Sequence, residues 1–94
     1  MNQYELALIY KASLSEGNIK KNVSDLEKYI ESLKGKILDR DDWGVRKMTM
    51  VIDKESSGYY FFLTLSIGSK NISKLDKKVL SENSVLRYLI NRLD

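Results

Sequence analysis

The sequence predicts an α+β domain, in which a four-stranded antiparallel sheet carries two helices on one face. Three observations support this prediction. Four stretches have the apolar pattern of strands, two repeat apolar residues with the helical period, and their order is strand, helix, strand, strand, helix, strand. Because a chain of 94 residues should bury roughly 60–65% of its unfolded surface in one core, we assign residues 1–94 to a single domain.

A long hairpin, residues 42–67, organises the predicted sheet. Its second arm has two different faces, because successive side chains of a strand point to opposite sides. One face is apolar and should lie in the core: Tyr59, Phe61, Leu63, Leu65 and Ile67. The other is amphipathic and should be exposed or covered by a partner: Tyr60, Phe62, Thr64 and Ser66. Residues 53–58 supply the turn, and Arg46 and Lys47 at the start of the first arm are typical of an edge strand.

The first strand and first helix precede this hairpin. Residues 4–10 are apolar on nearly both faces, which predicts a strand in the middle of the sheet. Ser13 or Ser15 caps the helix that follows, and Glu16 suits its first turn. This helix ends before Gly35, and its buried stripe consists of apolar residues three or four apart: Ile19, Val23, Leu26, Ile30 and Leu33.

The remaining elements follow from the same two periods. The second strand, residues 36–52, is interrupted by four charged residues, and Gly44 just after them predicts a bulge or bend. After a turn at residues 68–71, a second helix carries Ile72, Leu75 and Val79 at helical spacing, and residues 81–84 end it. The last strand is residues 85–92, with two faces: Leu86, Tyr88 and Ile90 on one, Arg87, Leu89 and Asn91 on the other.

This order of elements predicts the split βαβ, or ferredoxin-like, arrangement. Right-handed crossovers place strands one and three in the centre, strands two and four at the edges, and both helices on the same side. The opposite side is left without helices, and its apolar area is large enough to be an interaction surface. Four residues are predicted there, with Tyr88 as the alternative to the last: Ile9, Tyr60, Phe62 and Leu89.

The composition argues against catalysis, metal binding and a bound cofactor. The chain has no Cys and no His, which removes thiolate ligands, disulfides and the commonest general base. Asp39, Asp41 and Asp42 lack the spacing of a calcium loop, so we interpret them as a solvated, salt-bridged bend. No glycine-rich phosphate loop occurs, and no nucleophile has a His partner. We therefore predict no catalytic residue, no metal site and no small-molecule substrate.

Charge and hydropathy narrow the partners further. No apolar run approaches 18 residues and no secretory signal is present, so we expect a chain that stays where it is made and binds no membrane. A net charge of +3 slightly favours a polyanionic partner. Residues 57–64 match the third-strand motif of RNA recognition modules poorly, since Ser57, Tyr60 and Thr64 stand where the motif has basic, small and aromatic residues.

Several short strings, in order along the chain, carry a more specific resemblance. They are Tyr4-Glu5 opening the first strand, Gly35-Lys36-Ile37 leading to Asp42-Trp43-Gly44 and Arg46, Gly58-Tyr59 in the returning arm, and Val85 with Arg87 in the last strand. Over roughly residues 3–92 this pattern resembles the ribosomal protein six family of the bacterial small subunit. The resemblance implies a non-catalytic, ferredoxin-like protein of the cytoplasmic ribosome. It also implies two partners, ribosomal protein eighteen of the small subunit and the central domain of the small-subunit rRNA.

These observations predict a structural ribosomal protein. The protein partner should bind over the helix-free side of the sheet. Basic side chains at one edge should neutralise rRNA phosphates, with an ordinary solvated charge as the alternative for each: Arg46, Lys47, Arg87 and Arg92. The competing hypothesis is a ferredoxin-like protein-interaction or regulatory domain that binds no RNA, and a third is a small-molecule sensor.

Overall fold

The protein has the predicted order of elements. The computed structural model describes residues 2–52 and 55–93. Its elements are β1 (Asn2–Lys11), α1 (Glu16–Ser32), β2 (Lys36–Ile52), β3 (Glu55–Ile67), a 3₁₀ turn (Ser69–Asn71), α2 (Ile72–Leu80) and β4 (Val85–Arg92). The predicted bounds of β2 and β4 are confirmed to the residue, and β-α-β-β-α-β is the ferredoxin-like order.

The four strands form one antiparallel sheet in the order β2-β3-β1-β4. The predicted central position of β1 and β3 is therefore confirmed, as is the edge position of β2 and β4. The burial of β1 explains its place. Leu6 and Leu8 are fully buried on the helix side, while Ala7 and Ile9 are half-buried on the other side, so the middle of this strand is apolar on both faces.

The core lies between the two helices and one face of the sheet. The helices contribute the stripes that their periodicity predicts: Ile19, Val23, Leu26 and Ile30 from α1, Leu75 and Val79 from α2. The sheet contributes alternate residues of its central strands: Tyr4, Leu6, Leu8 and Tyr10 from β1, Tyr59, Phe61, Leu63, Leu65 and Ile67 from β3. The predicted core face of β3 is thus confirmed. Each such apolar side chain contributes about 1.5–3 kcal/mol on burial.

Capping interactions delimit α1. Ser15 is its N-cap, and the Ser15 Oγ accepts a hydrogen bond from the backbone N–H of Asn18 at 3.2 Å, which resolves the choice between Ser13 and Ser15. At the other end, Lys34 adopts a left-handed conformation with φ 64°, and Gly35 donates its N–H to the carbonyl of Ile30. The helix therefore ends before Gly35, as predicted.

Strand β2 is irregular, as its charged interruption predicts. Its register against β3 shifts between Ile37 and Asp39 and again between Asp42 and Gly44. Gly44 has φ 74°, a conformation that costs little only for glycine, so the bulge at this point requires the glycine that the sequence supplies.

The predicted turn at residues 53–58 is too long, because β3 begins at Glu55. Ser57 and Gly58 belong to β3, where they pair with Lys47 and Arg46. Gly58 is required by close packing, because a Cβ there would lie 2.5 Å from Cγ2 of Ile9. The predicted turn residues Asp53 and Lys54 lie outside the described residues.

The open face of the sheet

The helix-free side of the sheet, called the open face below, is the candidate functional site. Tyr59, Phe61 and Leu63 point to the helices, so the alternate residues of β3 point away from them. Cross-strand pairing then arranges the open face in rows. One row runs Gly44, Tyr60, Ile9, Arg87, and the next runs Asp41, Phe62, Ala7, Leu89. The four predicted partner-binding residues thus lie together in two adjacent rows.

Tyr88, the alternative to Leu89, lies on the helix side. Its hydroxyl donates a hydrogen bond of 2.7 Å to Oδ1 of Asp76 in α2, and this bond raises the pKa of Tyr88. Leu89 is therefore the apolar residue that β4 contributes to the open face, where 57% of its surface is exposed. An exposed leucine beside half-buried aromatic residues is a typical component of a surface that a partner covers.

Trp43 completes the apolar centre of the open face, a position that its sequence pattern does not predict. Its ring is stacked on Tyr60, with centroids 6.3 Å apart, and tilted on Phe62, with centroids 4.6 Å apart. Nearly half of its surface, 46%, stays exposed. The signal for this role was Trp43-Gly44 at an expected bulge, but which face the ring occupies depends on the register shift itself.

Met48 extends this centre toward the hairpin end. It is a buried hydrophobic residue outside the core cluster beneath the helices. Its sulfur lies 3.3 Å from the position that a Cβ of Gly58 would take, next to Ile9. The absence of a side chain at Gly58 therefore lets Met48 and Ile9 approach each other on the open face.

The charges of the open face are separated along the strands. At one end, Glu5 and Asp39 both pair with Thr64, and Asp41 pairs with Phe62. At the other end, Arg46 pairs with Gly58, and Arg87 pairs with Ile9. The open face therefore has an acidic end, an apolar aromatic centre and a basic end.

The prediction that four basic residues share one edge is wrong. Arg46 and Lys47 lie on β2 and Arg87 and Arg92 on β4, and these strands are the opposite edges of the sheet. Three strand spacings separate them, roughly 14 Å. The four residues also lie on different faces of the sheet, because successive side chains of a strand point to opposite sides. Arg46 and Arg87 are on the open face, while Lys47 and Arg92, which pair with Ser57 and the core residue Tyr4, are on the helix side.

The charged bend of β2 is tied to the helix side. Arg40 donates two hydrogen bonds to the carboxylate of Glu27 in α1, of 2.8 and 2.6 Å, and they raise the pKa of Arg40. The Tyr59 hydroxyl donates to Oδ2 of Asp42 at 2.8 Å. Burial, aided by this bond, raises the pKa of Tyr59 to about 12. Asp42 thus faces the helices, away from Asp39 and Asp41 on the open face, and the three cannot share one cation.

The described residues hold neither a metal-ligand cluster nor a membrane span. Within residues 2–52 and 55–93, no three carboxylate side chains are close enough together to hold one metal ion. No helix in the same ranges is both long and apolar enough to cross a membrane. The fold is that of a ferredoxin-like protein, and the open face of its sheet is the candidate binding surface.

Comparisons with known proteins assign this class to a family. Residues 3–92 match the family described as ribosomal protein S6. Small ribosomal subunit protein bS6 of Thermoanaerobacter pseudethanolicus is 35% identical over 94 residues, covering 100% of this chain and 99% of that protein. The corresponding protein of Azobacteroides pseudotrichonymphae is 32% identical over 92 residues, covering 98% and 82%. The crystal structure of 30S ribosomal protein S6 from Thermotoga maritima superposes with a TM-score of 0.93 at 25% identity, covering 98% and 87%.

The chain belongs to the ribosomal protein S6 family. It is therefore a structural, non-enzymatic protein of the small ribosomal subunit, located on the ribosome in the cytoplasm. The predicted family, the predicted fold and the predicted lack of enzymatic activity are confirmed by this assignment. The individual binding residues remain predictions.

Proposed function

We propose that this chain, as a single domain of residues 1–94, binds the central domain of the small-subunit rRNA together with ribosomal protein eighteen of the small subunit. Family membership supports an association with rRNA in the small subunit. The observation that carries the proposal is the open face, an aromatic surface that no element within the described part of the chain covers. A protein that acts by binding partners, and not by catalysis, needs such a surface.

The protein partner binds the centre of the open face. Tyr60, Phe62 and Ile9 are only half-buried, and Leu89 and Trp43 are more exposed still. Covering this area releases apolar surface from water at about 25 cal/mol per Å². Aromatic residues at the centre of an interface supply much of its affinity, and Trp43, stacked on Tyr60 and tilted on Phe62, occupies that position here.

The rRNA binds the margins that this partner leaves open. Arg46 and Arg87 flank the open face on the two outer strands, and Lys47 and Arg92 extend the same edges toward the helix side. Phosphate contacts from such residues fix position and contribute salt-dependent affinity. With a net charge of only +3, the isolated chain binds RNA weakly, and the partner strengthens binding by adding basic groups.

The test is co-sedimentation with small ribosomal subunits. Tagged chain should travel with the subunit, and Phe62→Ser should reduce its share there by weakening the partner contact. A chain that stays in the slow fractions while associating through its open face would instead support an interaction or regulatory domain without RNA binding. That result would overturn the proposal.

A further inference from the structure

A cavity opens at the acidic end of the open face. Its volume is about 330 Å³, and it is lined by Glu5, Asp39, Arg40, Asp41, Trp43, Phe62 and Thr64. This volume lies at the low end of the roughly 300–1,000 Å³ typical of small-molecule pockets. It suits one long side chain better than a cofactor. Phe62 and the tilted ring of Trp43 give it an apolar wall.

Three carboxylates from two strands surround the cavity. Glu5 and Asp39 flank the small residue Thr64 in one row, about 9–10 Å apart at the backbone, and Asp41 occupies the next row of β2. A cationic group above Thr64 lies between the first two and within reach of the third. Oδ2 of Asp41 accepts a hydrogen bond from Nε1 of Trp43 at 2.9 Å, which fixes this carboxylate against the aromatic wall.

Within the described part of the chain, no ion pair joins these carboxylates to a basic side chain, although Arg40 attracts Asp39 at longer range. The ion pairs found there join Glu16 to Lys20, Glu27 to Arg40 and Lys78 to Glu82. Arg40 lines the cavity, but both oxygens of Glu27 on the helix side bind its guanidinium. Lys36, the next basic residue of this face, lies one row farther along, opposite Ser66.

A partner that covers the apolar centre must also cover part of this acidic end. Phe62 and Trp43 belong to both the centre and the cavity wall, so burying them removes water from Asp41 as well. Removing water from an unpaired carboxylate is unfavourable, and a paired cation offsets that cost. The partner's surface must therefore be basic where it meets Glu5, Asp39 and Asp41.

We propose that this cavity receives an arginine side chain of the protein partner, and that the contact sets the partner's orientation. The inference rests on the proposed function, because it needs a protein on the open face. A guanidinium can bridge two carboxylates while its planar group lies on Trp43 and its stem on Phe62. The opposite end, with Arg46 and Arg87, repels the same cation. The partner therefore binds in one direction and leaves the basic end uncovered, where rRNA phosphates can approach it.

The test measures affinity for ribosomal protein eighteen of the small subunit. The double variant Glu5→Gln, Asp41→Asn removes two charges while the asparagine can still accept from Trp43. The matched control is Asp25→Asn, Glu31→Gln, which removes the same charge from exposed sites on α1. We expect the cavity variant to weaken binding at least about tenfold more than the control at low salt, with a smaller loss as salt rises. An equal effect of the two variants overturns the inference.

A second measurement reports on the cavity itself. Trp43 is the only tryptophan of the chain, so incorporated 5-fluorotryptophan places one ¹⁹F label on the cavity wall. Its resonance should shift on partner binding, and replacing the inserted arginine of the partner by glutamine should reverse most of that shift. If no arginine of the partner has this effect, the inference is wrong even where binding persists. Phe62→Ser separates the two proposals, because unchanged partner binding by that variant contradicts the proposed function itself.

Discussion

The two faces of the sheet are built from the same alternating strands, yet they differ in what covers them. On the helix side Leu6, Leu8 and Leu63 are completely buried under α1 and α2. On the open face Tyr60 and Phe62, from the same strand as Leu63, are only half-buried, and charges stand at both ends. One face therefore stabilises the fold, while the other is available for binding at little cost to stability.

The largest effect expected from this difference concerns the helix side. Leu63→Ala and Leu26→Ala should each reduce the free energy of unfolding by about 2–5 kcal/mol, because each leaves a cavity in a close-packed core. Both residues belong to the single core cluster, and Leu63 is fully buried. Urea unfolding checks this. Losses below about 1 kcal/mol at both positions would reverse the assignment of the two faces.

Substitution of Phe62, which is next to Leu63 but on the opposite face, should affect partner binding instead of stability. Phe62→Ser should leave the isolated chain folded, because Phe62 faces away from the helices, but should weaken binding of the protein partner. Far-ultraviolet circular dichroism reports the fold, and calorimetry with ribosomal protein eighteen reports the affinity. The matched variant Phe61→Ser, one residue away on the helix side, should unfold the chain. Global unfolding of the Phe62 variant would show that the open face is part of the core.

Much of this contrast could be predicted from the sequence. Side-chain alternation in β3 and the apolar spacing in α1 each reflect which residues must leave water, so the two faces of Tyr59 to Ile67 and the stripe from Ile19 to Ile30 follow directly. The same reasoning places Ile9, Tyr60 and Phe62 on one surface together with Leu89 or Tyr88, and strand pairing decides for Leu89.

The features that the sequence could not supply depend on register. Two of the three register shifts between β2 and β3 fall at or before Trp43 and break the count of alternate residues, so its position over Phe62 could not be deduced by parity. Gly58 is predicted as a turn residue from its type, whereas in the structure its lack of a side chain allows Ile9 to pack closely against it. The prediction of a common basic edge is wrong because it rests on charge alone, whereas strand order places Arg46 and Arg87 on opposite edges.

A smaller effect on stability is expected from the ionisation of Tyr59, where β2 meets the helix side of the sheet. The pKa of Tyr59 is raised to about 12, above its ordinary value of about 10, by burial and by the hydrogen bond to Asp42. A raised folded pKa contributes stability that is complete below the unfolded pKa and is lost as pH rises through the folded one. The free energy of unfolding should therefore fall between about pH 10 and pH 12. In the Tyr59→Phe variant, the free energy of unfolding should fall less steeply over this pH range, as measured by urea titrations at each pH. Identical slopes for the variant and the native chain would contradict the assignment.

The smallest expected effect concerns RNA, and it compares the two faces along one strand. Arg87 and Arg92 both lie on β4, but Arg87 is on the open face and Arg92 on the helix side. Each phosphate contact that is lost should reduce the slope of log affinity against log salt by roughly 0.7–0.9. We expect Arg87→Ala to show this reduction for a central-domain rRNA fragment in the presence of the protein partner.

Arg92→Ala should change the slope less, because contact with Arg92 requires the RNA to extend around the edge toward the helices. Lys21→Ala, an exposed charge on α1, serves as the control for net charge. Sequence preference should stay constant in all three variants, since phosphate contacts position a protein without reading bases. If neither arginine changes the affinity or the slope relative to Lys21→Ala, the RNA does not contact this edge. Arg87 and Arg92 are then ordinary surface charges, and the basic end of the open face has another role.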